Sequence, residues 1–543
     1  MPTCTRLGKV ESQFGKQFLA VVVAVLLTIA ALSVGATTSY AQTYTDLHDF
    51  TATEMSTNYP SPDIMAQGRD GNLYFGGAYG CGSIFKMTPA GTVTAVYDFN
   101  VDGGANGCTP GGGLTLGTDG NFYGVTYYGG SHSYGTIYKV TPAGVPTVLH
   151  HFDGTQNQYY SVAPPVQGKN GTFYGITGYG AAYSITSSGK YKLLNPDVGG
   201  TVQDPLTLAS DGNLYGVISG FPFSYGYLFR LSPNGAVKIL HSFDFTHGSY
   251  PRGALVQGTD GLLYGASANG GAYGAGTIYK MTLTGNYTVL HDITGTVDYG
   301  ECAGLIAASD GKFYSAMYGG GANYLGTLYQ VTKTGAYSTL YSFDNTHGGN
   351  PYATPMQHTN GTIYGVAAVG GLSNRGVAYS LNNSLPRFVA LMTTTGAAGQ
   401  TLQILGTGLT GTTSVKFGSG SASFNVVSDS YMTATVPANG TSDYVTVATP
   451  SGTLTSNKQY KVTPTLSGFS PSSGPVGSVV TIAGSGFVGT KQVTFGGVKA
   501  TTYTVDPSGT SITVTVPAGA KTGKIAIKTP GGNASSKAVF TVT

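Results

Sequence analysis

The sequence predicts an all-β protein: a seven-bladed β-propeller whose last blade is closed by the N-terminal strand, followed by two immunoglobulin-like β-sandwiches. Three observations lead to this fold class. A tight turn followed by a short aromatic strand recurs seven times at intervals near fifty residues, and no helical periodicity appears in the repeat. The last repeat lacks one strand, which the start of the chain supplies. The C-terminal part then repeats a different pattern of short alternating strands.

The first 41 residues have the composition of a secretory signal peptide. Three basic residues, Arg6, Lys9 and Lys16, precede an almost wholly apolar segment at 18–34, and small residues at Ser39 and Ala41 fit a cleavage site after Ala41. The alternative is an uncleaved membrane anchor, but an apolar run of about 17 residues is at the lower limit for spanning a bilayer. We therefore expect an exported chain, secreted or held at the cell surface or in the periplasm, with no membrane span after cleavage.

Each repeat begins with an Asp-Gly or Asn-Gly turn and has a tyrosine four residues after the Asp or Asn. The seven turns start at Asp70, Asp119, Asn170, Asp211, Asp260, Asp310 and Asn360. Their intervals are 49, 51, 41, 49, 50 and 50 residues, so the third unit is short. These dipeptides favour tight hairpin turns because one or both turn residues need a positive φ.

Four strand-like runs occur in each unit; in the second unit they are residues 113–117, 121–127, 136–141 and 145–152. One small sheet cannot bury both of its faces, whereas sheets stacked around an axis cover one another. Seven units without capping repeats favour a closed ring.

The ends of the repeated region indicate how the ring closes. The fourth strand of a unit has a pattern such as Val148-Leu149-His150-His151-Phe152, and the seventh unit has no such strand. Residues 44–50, Tyr-Thr-Asp-Leu-His-Asp-Phe, have that pattern at the start of the mature chain. We therefore predict a propeller over residues 43–383 in which the N-terminal strand completes the seventh blade and leaves no long sheet edge exposed.

Three motifs recur in order over residues 43–381: Leu-His-Ser-Phe-Asp, Asp-Gly-x-x-Tyr-Gly and Gly-Thr-x-Tyr-Lys. With these motifs the region resembles the GloVer tandem repeat of exported bacterial proteins. The third unit departs from the pattern, since Ala182-Tyr183-Ser184 stands where Gly-Thr-x-Tyr-Lys is expected. The resemblance implies a secreted protein and assigns no biochemical activity.

After residue 384 the period changes. Residues 398–409 align with 476–487, and Val436-Pro437-Ala438 matches Val516-Pro517-Ala518, which predicts β-sandwiches over residues 385–463 and 464–543. Both resemble the IPT/TIG immunoglobulin-like domain, the second more closely than the first. Such modules imply spacers or adhesive units in exported proteins. Six lysines in the second sandwich favour either a solvated face or contact with an anionic polymer.

Charge and cysteine content limit the classes of function. Residues 42–384 hold 13 basic against 19 acidic residues, and residues 385–543 hold 10 against 3, so we expect no nucleic-acid partner for this exported, mildly acidic propeller. The three mature cysteines fit no zinc site, and we expect neither a metal nor another cofactor. Cys81 and Cys108 are predicted on one face of the ring, where a disulfide would join them, which leaves Cys302 as the odd thiol.

The long variable loops between strands two and three, and those entering the next blade, share one end of a propeller, where binding residues usually lie. They carry the tyrosines that we predict as ligand-binding candidates: Tyr128, Tyr134, Tyr160, Tyr225, Tyr250, Tyr273 and Tyr324. Tyrosine can stack on a sugar ring and hydrogen-bond its hydroxyls. The alternative is that these tyrosines, like others in the chain, only fill repeat positions.

Most histidines occupy repeated positions and are expected to belong to the scaffold. Four charged or polar residues outside repeated positions are further ligand-binding candidates: His132, Arg252, Asp298 and Glu301. A glycosidase or lyase needs converging carboxylates or a base with a neutralising partner, and the sequence indicates no partner for Asp298 and Glu301 across the ring.

The sequence therefore favours an exported, monomeric, non-enzymatic binding or adhesion protein. Its propeller loops would recognise an extracellular ligand such as a polysaccharide or cell-surface component, and its sandwiches would act as a spacer or surface attachment. Two alternatives stay open: a polysaccharide hydrolase or lyase with its site in the propeller funnel, and a structural component of the cell envelope.

Overall fold

The structure is a computed structural model that describes residues 42–54, 64–77, 80–220, 224–295 and 298–543. The predicted signal peptide, residues 1–41, lies outside the described residues. Regular structure in the described part consists of β-strands and two short 3-10 helices, η1 (Phe99–Asp102) and η2 (Thr155–Asn157). Over these residues we find no helix with the length and apolar character needed to cross a membrane.

After β1 (Thr43–Asp49), the chain forms seven small antiparallel sheets, which are the blades of the propeller. Blade 1 contains β2 (Ala66–Gln67), β3 (Leu73–Gly77), β4 (Ser83–Met87) and β5 (Val93–Asp98). Blade 2 contains β6 (Cys108–Leu116), β7 (Phe122–Tyr128), β8 (Thr136–Val140) and β9 (Pro146–His151). Blade 3 contains β10 (Val166–Gln167), β11 (Phe173–Ile176), β12 (Ala182–Ile185) and β13 (Tyr191–Asn195).

The remaining blades follow the same order. Blade 4 contains β14 (Thr207–Leu208), β15 (Leu214–Ile218), β16 (Tyr227–Leu231) and β17 (Val237–Ser242). Blade 5 contains β18 (Ser249–Gln257), β19 (Leu263–Asn269), β20 (Thr277–Met281) and β21 (Tyr287–Asp292). Blade 6 contains β22 (Asp298–Cys302), β23 (Ile306–Ala307), β24 (Phe313–Gly320), β25 (Thr327–Val331) and β26 (Tyr337–Ser342). Blade 7 contains β27 (Met356–Gln357), β28 (Ile363–Ala367) and β29 (Val377–Asn382).

The N-terminal strand completes blade 7, whose strand order is β1-β29-β28-β27, so the predicted ring closure is confirmed. Tyr44 stacks on Tyr341 of blade 6 with ring centroids 3.7 Å apart, and its hydroxyl donates to the His347 carbonyl at 2.6 Å. At the other end of the strand, the Phe50 side chain is fully buried and its amide donates to the Gly376 carbonyl at 3.0 Å. The N-terminal strand therefore contacts blade 6 as well as the rest of blade 7.

In each blade, the tyrosine of the repeated turn motif hydrogen-bonds back to the first residue of the turn. In blade 2 the Tyr123 hydroxyl donates to the Asp119 carboxylate at 2.7 Å, while the Tyr123 ring stacks on Phe173 of the next blade at 3.8 Å. Partial burial raises the pKa of Asp119, but hydrogen bonds from Tyr123 and Asn121 outweigh it and lower that pKa below its usual value. The same Tyr-to-Asp or Asn contact occurs in all seven blades.

The glycine after this tyrosine makes room for the third strand. A Cβ atom on Gly124 would lie 2.5 Å from the Tyr138 hydroxyl oxygen, and one on Gly265 would lie equally close to that of Tyr279. This close approach explains why Tyr-Gly on the second strand accompanies a tyrosine on the third.

In blade 2 the first strand is longer than predicted. It begins at Cys108 rather than near residue 113, and its register shifts between Gly111 and Thr115. Gly112 and Gly113 have φ of 67° and 101°, and a Cβ on Gly112 would lie 2.0 Å from the Val162 carbonyl oxygen of blade 3. This glycine bulge lets the inner strands of neighbouring blades approach each other closely. Because it interrupts the strand pattern, the sequence did not show that the strand begins before the bulge.

The first sandwich follows blade 7. Its strands are β30 (Phe388–Leu391), β31 (Thr395–Ala397), β32 (Thr401–Leu405), β33 (Ser414–Phe417), β34 (Gly420–Ala422), β35 (Phe424–Ser428), β36 (Tyr431–Thr435), β37 (Asp443–Thr449) and β38 (Gly452–Thr463). One sheet runs β34-β33-β37-β38-β30 and continues through β30 into β32-β36-β35. Its core includes Leu402, Phe417, Val445 and Tyr460.

The second sandwich has two separate sheets, ordered β39-β41-β45-β44 and β40-β47-β46-β42-β43. Its strands are β39 (Thr465–Ser470), β40 (Ser473–Gly474), β41 (Val479–Ser485), β42 (Gln492–Phe495), β43 (Val498–Lys499), β44 (Tyr503–Val505), β45 (Ser511–Thr515), β46 (Gly523–Thr529) and β47 (Gly532–Val542). Ile482, Phe495, Ile527 and Phe540 are buried between the sheets.

We call the end of the ring that carries the Asp-Gly and Asn-Gly turns the turn face, and the opposite end the loop face. The first sandwich packs on the turn face. Arg69 of blade 1 donates to Gln403 of the sandwich at 2.5 Å and to the Thr118 carbonyl of blade 2 at 2.6 Å, and its guanidinium lies 4.7 Å from the centre of the Tyr431 ring. A cavity of about 280 Å³ lies at this junction, lined by residues that include Gln67, Met356, Phe388 and Asn457. The first sandwich thus covers part of the turn face, at blades 1, 2 and 7, and lies at the opposite end of the ring from the loop face.

Candidate functional site

Six tyrosines from blades 2 and 3 pack together on the loop face and form what we call the tyrosine cluster. They are Tyr127, Tyr128, Tyr134, Tyr159, Tyr160 and Tyr179. Tyr127 and Tyr128 end β7, Tyr134 and Tyr179 lie in the connections between second and third strands, and Tyr159 and Tyr160 precede the first strand of blade 3. Three different connections therefore meet at one place.

Tyr160 is the centre of the cluster. Its ring stacks on Tyr127 with centroids 4.8 Å apart and an interplanar angle of 11°, and it also contacts the rings of the other four members. Its backbone has φ of +56°, a left-handed conformation that costs a tyrosine roughly 1 kcal/mol or more. The Tyr160 amide donates to the Tyr134 carbonyl and its own carbonyl accepts from the Gly178 amide, both at 3.1 Å, and these two bonds hold the strained residue in place.

The same left-handed position recurs around the ring. The amides of Thr109, Tyr250 and Asn350, which also have positive φ, donate to the carbonyls of Cys81, Tyr225 and Leu325 at 2.6–2.8 Å. The backbone device therefore belongs to the repeat, and only the side chain placed on it differs between blades. In blade 3 that side chain is the Tyr160 ring.

The cluster presents aromatic surface to solvent. Tyr128, Tyr134 and Tyr179 are 48%, 37% and 45% exposed. The Tyr134 ring packs against Gly154, where a Cβ atom would lie 2.5 Å from the ring. These partly exposed rings pack against one another, with apolar faces and polar hydroxyls at their edges. Such a surface suits a ligand that has both apolar and hydrogen-bonding groups.

The structure brings three of the predicted tyrosines, Tyr128, Tyr134 and Tyr160, into this cluster. Tyr225 and Tyr250 lie together between blades 4 and 5, where the Tyr225 ring contacts Phe245 at 5.7 Å. Tyr273 and Tyr324 are 65% and 69% exposed at the tips of separate loops.

The predicted polar candidates do not converge. His132 is exposed in the blade 2 loop, 3.0 Å from the hydroxyl of its neighbour Ser131. Arg252 is half-buried in β18, opposite Ala266 of β19. Glu301 lies in β22, and its side chain is outside the described part of the structure.

The placement of Asp298 on an exposed binding surface needs correction, because its side chain is buried and only 3% exposed. Its carboxylate accepts hydrogen bonds from the hydroxyls of Thr327 at 2.6 Å, Thr339 at 3.3 Å and Tyr337. In blade 5 the carbonyl of His247 accepts the equivalent bonds from Thr277 and Tyr287. Asp298 thus replaces a backbone acceptor, and both of its oxygens are occupied within blade 6.

Sequence reasoning did not single out Tyr179, whereas Tyr127 and Tyr159 were recognised as loop tyrosines but were not included in the final set of candidates. Tyr179 lies in Thr177-Gly178-Tyr179-Gly180, the shortened connection of the third repeat. The departure of this unit from the repeat was the available signal. The loop that Tyr179 contacts is determined by the packing between blades, and the repeat pattern in the sequence gives no information on that packing.

Cys81 and Cys108 form a disulfide, with Cα atoms 4.2 Å apart, that joins the blade 1 loop to the first strand of blade 2. Cys302 is buried and takes no part in a disulfide.

The repeated histidines lie between blades. His150 stacks on Tyr191 of blade 3 at 3.7 Å, and His241 stacks on Tyr287 of blade 5 at 3.9 Å. Burial lowers the pKa of His150 to about 4, so this ring is neutral at physiological pH. In the parts of the chain that the structure describes, no group of three or more histidine, cysteine or acidic side chains is close enough to hold a metal ion.

Comparison with solved structures finds matches of low similarity. A fungal alcohol oxidase of the AA5 family, in complex with copper, is 13% identical with a TM-score of 0.45, and covers 75% of this chain and 98% of its own. The extracellular domain of a putative hybrid two-component system from Bacteroides thetaiotaomicron is 12% identical with a TM-score of 0.43, covering 90% and 66%. The surface glycan-binding protein SGBP-B from Bacteroides uniformis is 21% identical with a TM-score of 0.16, covering 28% and 48%. At these values none of the three bears on the function of this chain.

None of the curated proteins matches the chain. Family models do match: the IPT/TIG domain covers residues 464–542, which is the second sandwich. The model of the Gloeobacter/Verrucomicrobia repeat covers residues 34–188 and 201–427, which is more than half of the chain and includes every strand of the propeller except β13 of blade 3. Together with the fold, this match shows that the chain belongs to the family of Gloeobacter/Verrucomicrobia repeat proteins.

Proposed function

We propose that this protein is an exported, non-enzymatic binding protein whose tyrosine cluster recognises an extracellular saccharide, while the sandwiches act as a spacer and surface attachment. One observation carries the proposal: six tyrosines from three connections meet on the loop face, and three of them keep between 37% and 48% of their surface exposed. Scaffold tyrosines of the same chain, such as Tyr123 and Tyr264, are fully buried instead.

The chemistry of the cluster supports a sugar. The axial C–H groups of a pyranose ring pack on an aromatic face, and its hydroxyls hydrogen-bond to phenolic oxygens. A rigid ring with few rotatable bonds loses little conformational entropy when a ligand binds, and the hydrogen bonds around Tyr160 fix the centre of the cluster beforehand.

The occupied carboxylate of Asp298 favours binding over hydrolysis. A glycosidase needs two carboxyl groups, one on each side of the scissile bond. Both oxygens of Asp298 accept hydroxyls inside blade 6 and the residue is only 3% exposed, so its carboxylate is not accessible to a substrate.

The proposal is tested by screening the purified chain, residues 42–543, against a glycan array and measuring each hit by calorimetry. Tyr128→Ala and Tyr134→Ala should each weaken binding about tenfold, because a stacked aromatic contact contributes on the order of 1 kcal/mol or more. Tyr299→Ala, which removes a tyrosine that is 39% exposed and lies outside the cluster, is the matched control and should bind as the wild type does. Release of reducing ends from the hits would instead indicate an enzyme, and equal binding by all three variants would exclude the cluster as the site.

A further inference from the structure

The outer face of one sheet in the second sandwich carries only positive charge. Residues 464–543 contain six lysines and a single acidic residue, Asp506. All six lysines are exposed, and within the described residues none of them takes part in an ion pair. They are Lys491, Lys499, Lys521, Lys524, Lys528 and Lys537.

Three of these lysines share the solvent side of the sheet β40-β47-β46-β42-β43, and we call them the lysine face. On β46, Lys524 and Lys528 alternate with Ile525 and Ile527, which point into the core, so the two lysines point outward about 13 Å apart. Lys499 joins them on the same side, because it pairs with Thr494 of β42, and Thr494 pairs in turn with Ala526 of β46. Lys499 therefore stands two strands away from β46, about 10 Å across the sheet.

The one acidic residue of this sandwich does not neutralise the lysine face. Asp506 follows β44, at the edge of the opposite sheet. Its carboxylate accepts from the Ser508 amide at 2.8 Å and from the Ser508 hydroxyl, which closes a local turn. The two signs of charge thus lie on different sheets.

We infer that the lysine face binds an anionic polysaccharide, a polymer that carries carboxylate or similar groups at regular intervals. This inference deepens the attachment role of the sandwiches and rests on that part of the proposed function; it does not depend on what the tyrosine cluster binds. The lysines are farther apart than the Debye length of about 8 Å at physiological ionic strength, so they act as separate point charges. A small anion would meet one of them at a time, whereas a polyanion meets all three.

The surface between the lysines favours a polysaccharide over the other common polyanions. Its partly exposed side chains are polar or small, such as Gln492 and Ala526, and Thr494 between them is buried, with the exposed Val539 as the larger apolar exception. Membrane-surface binding generally adds aromatic or large apolar residues that insert at the interface. Duplex DNA is usually read by a helix or a two-stranded ribbon placed in a groove, which a five-stranded sheet face does not resemble.

The experiment measures binding of the full mature chain to immobilised polygalacturonate, with neutral dextran as the uncharged polymer. Replacing the three lysines together, Lys499→Gln, Lys524→Gln and Lys528→Gln, should weaken binding at least about tenfold, since each lysine near an anionic surface contributes on the order of 1 kcal/mol. The matched control replaces three exposed lysines elsewhere, Lys192→Gln, Lys238→Gln and Lys416→Gln, which changes the net charge equally. Unchanged thermal unfolding of both triple variants shows that each has folded.

The expected result is loss of binding in the first triple variant alone, with wild-type binding that weakens as salt is raised. Equal loss in both triple variants, or no binding by the wild type, would overturn the inference. Tighter binding to vesicles containing anionic lipid, or to a duplex DNA fragment, would overturn the choice of polysaccharide. Tyr128→Ala and Tyr134→Ala should retain full binding to polygalacturonate, so failure of the saccharide site on the propeller and failure of the lysine face can be told apart.

Discussion

At the turn face of the propeller, the tyrosine of each second strand is buried and its hydroxyl contacts the Asp or Asn four residues earlier. On the loop face of blades 2 and 3, six tyrosines pack on one another and several remain partly exposed. The same side chain thus serves two purposes in one ring. Where its position is repeated in every blade, it stabilises the blade; where its position is peculiar to one or two blades, it forms surface.

The difference extends to what covers each end. The first sandwich covers part of the turn face, where Arg69 contacts Gln403 and Tyr431. Repeated residues at this end stabilise the blades through the Tyr-to-Asp contact, and Arg69 adds a contact with the sandwich. The loop face has no such cover from the described residues of the chain, which leaves its departures from the repeat free to meet a partner.

The comparison assumes a closed ring, and the largest effect is expected when closure is removed. Deleting residues 43–50 from the mature chain should lower the free energy of unfolding by about 5 kcal/mol or more, because several large apolar side chains, Phe50 and Tyr44 among them, lose their burial. Chemical denaturation followed by tyrosine fluorescence measures this loss. Tyr44→Phe is the matched control and should cost only about 1 kcal/mol, for the hydrogen bond to His347. Unchanged stability of the deletion would mean that another segment completes blade 7.

Asp298 tests whether every departure from the repeat on the loop side is a binding residue. Asp298→Ala should destabilise the protein by about 2–4 kcal/mol, because the hydroxyls of Thr327, Tyr337 and Thr339 would lose their acceptor inside the blade. Asp298→Asn retains one acceptor oxygen and should cost less. Both variants should bind glycans as the wild type does at temperatures where they are folded. A stable Asp298→Ala variant with altered binding would place this carboxylate in the site after all.

A pair of Tyr→Phe changes sharpens the comparison between the two faces. Tyr264→Phe removes the hydroxyl that donates to Asp260 at 2.6 Å and should cost about 1–2 kcal/mol of stability with no change in ligand binding. Tyr134→Phe, on the loop face, should leave the thermal unfolding temperature nearly unchanged and weaken glycan binding. The distinction between the two faces would be contradicted if Tyr264→Phe weakened glycan binding, or if Tyr134→Phe lowered stability and left binding unchanged.

The architecture could be predicted because its evidence is local and repeated. Asp-Gly-x-x-Tyr places a turn, a Tyr-to-Asp hydrogen bond and a strand within a few residues, and the missing fourth strand at one end matches residues 44–50 at the other. The tyrosine cluster was predicted only in part: Tyr160 was among the candidates, whereas Tyr179, which reaches the cluster through a shortened loop, was not. The meeting of the two rings depends on contacts between blades, and these contacts do not appear as a repeated pattern in a single sequence.

Asp298 shows the opposite failure. A lone acidic residue in a loop is ordinarily solvated, so its position outside the repeat favoured a functional role. In the structure its carboxylate takes over an acceptor position that a backbone carbonyl fills in blade 5. The sequence does not show which backbone carbonyls accept hydrogen bonds. The replacement of such a carbonyl by the Asp298 side chain could therefore not be predicted.

The smallest effect we expect concerns pH and the contact between blades 2 and 3. The His150 ring stacks on Tyr191, its Nε2 atom is buried with no hydrogen-bond partner in the described structure, and burial lowers its pKa from 6.5 to about 4. The unfolded chain therefore binds a proton more readily than the folded one between these two values. His150 leaves stability unaffected above pH 6.5, destabilises the fold progressively as the pH falls from 6.5 towards 4, and adds no further loss below that.

His150→Tyr isolates this contribution, since Tyr341 already occupies the equivalent position in blade 6 and stacks on Tyr44 in the same way. Unfolding free energies of the two proteins, measured by urea denaturation at several values between pH 7.5 and 4.5, should diverge by about 1 kcal/mol at the acidic end, the value being reduced by partial hydration of the ring. His241 and His291, whose pKa values burial also lowers, remain in both proteins and cancel in the difference. Parallel pH profiles would show that the His150 ring gains water or a partner on protonation, and would remove this histidine from the blade scaffold as a source of acid sensitivity.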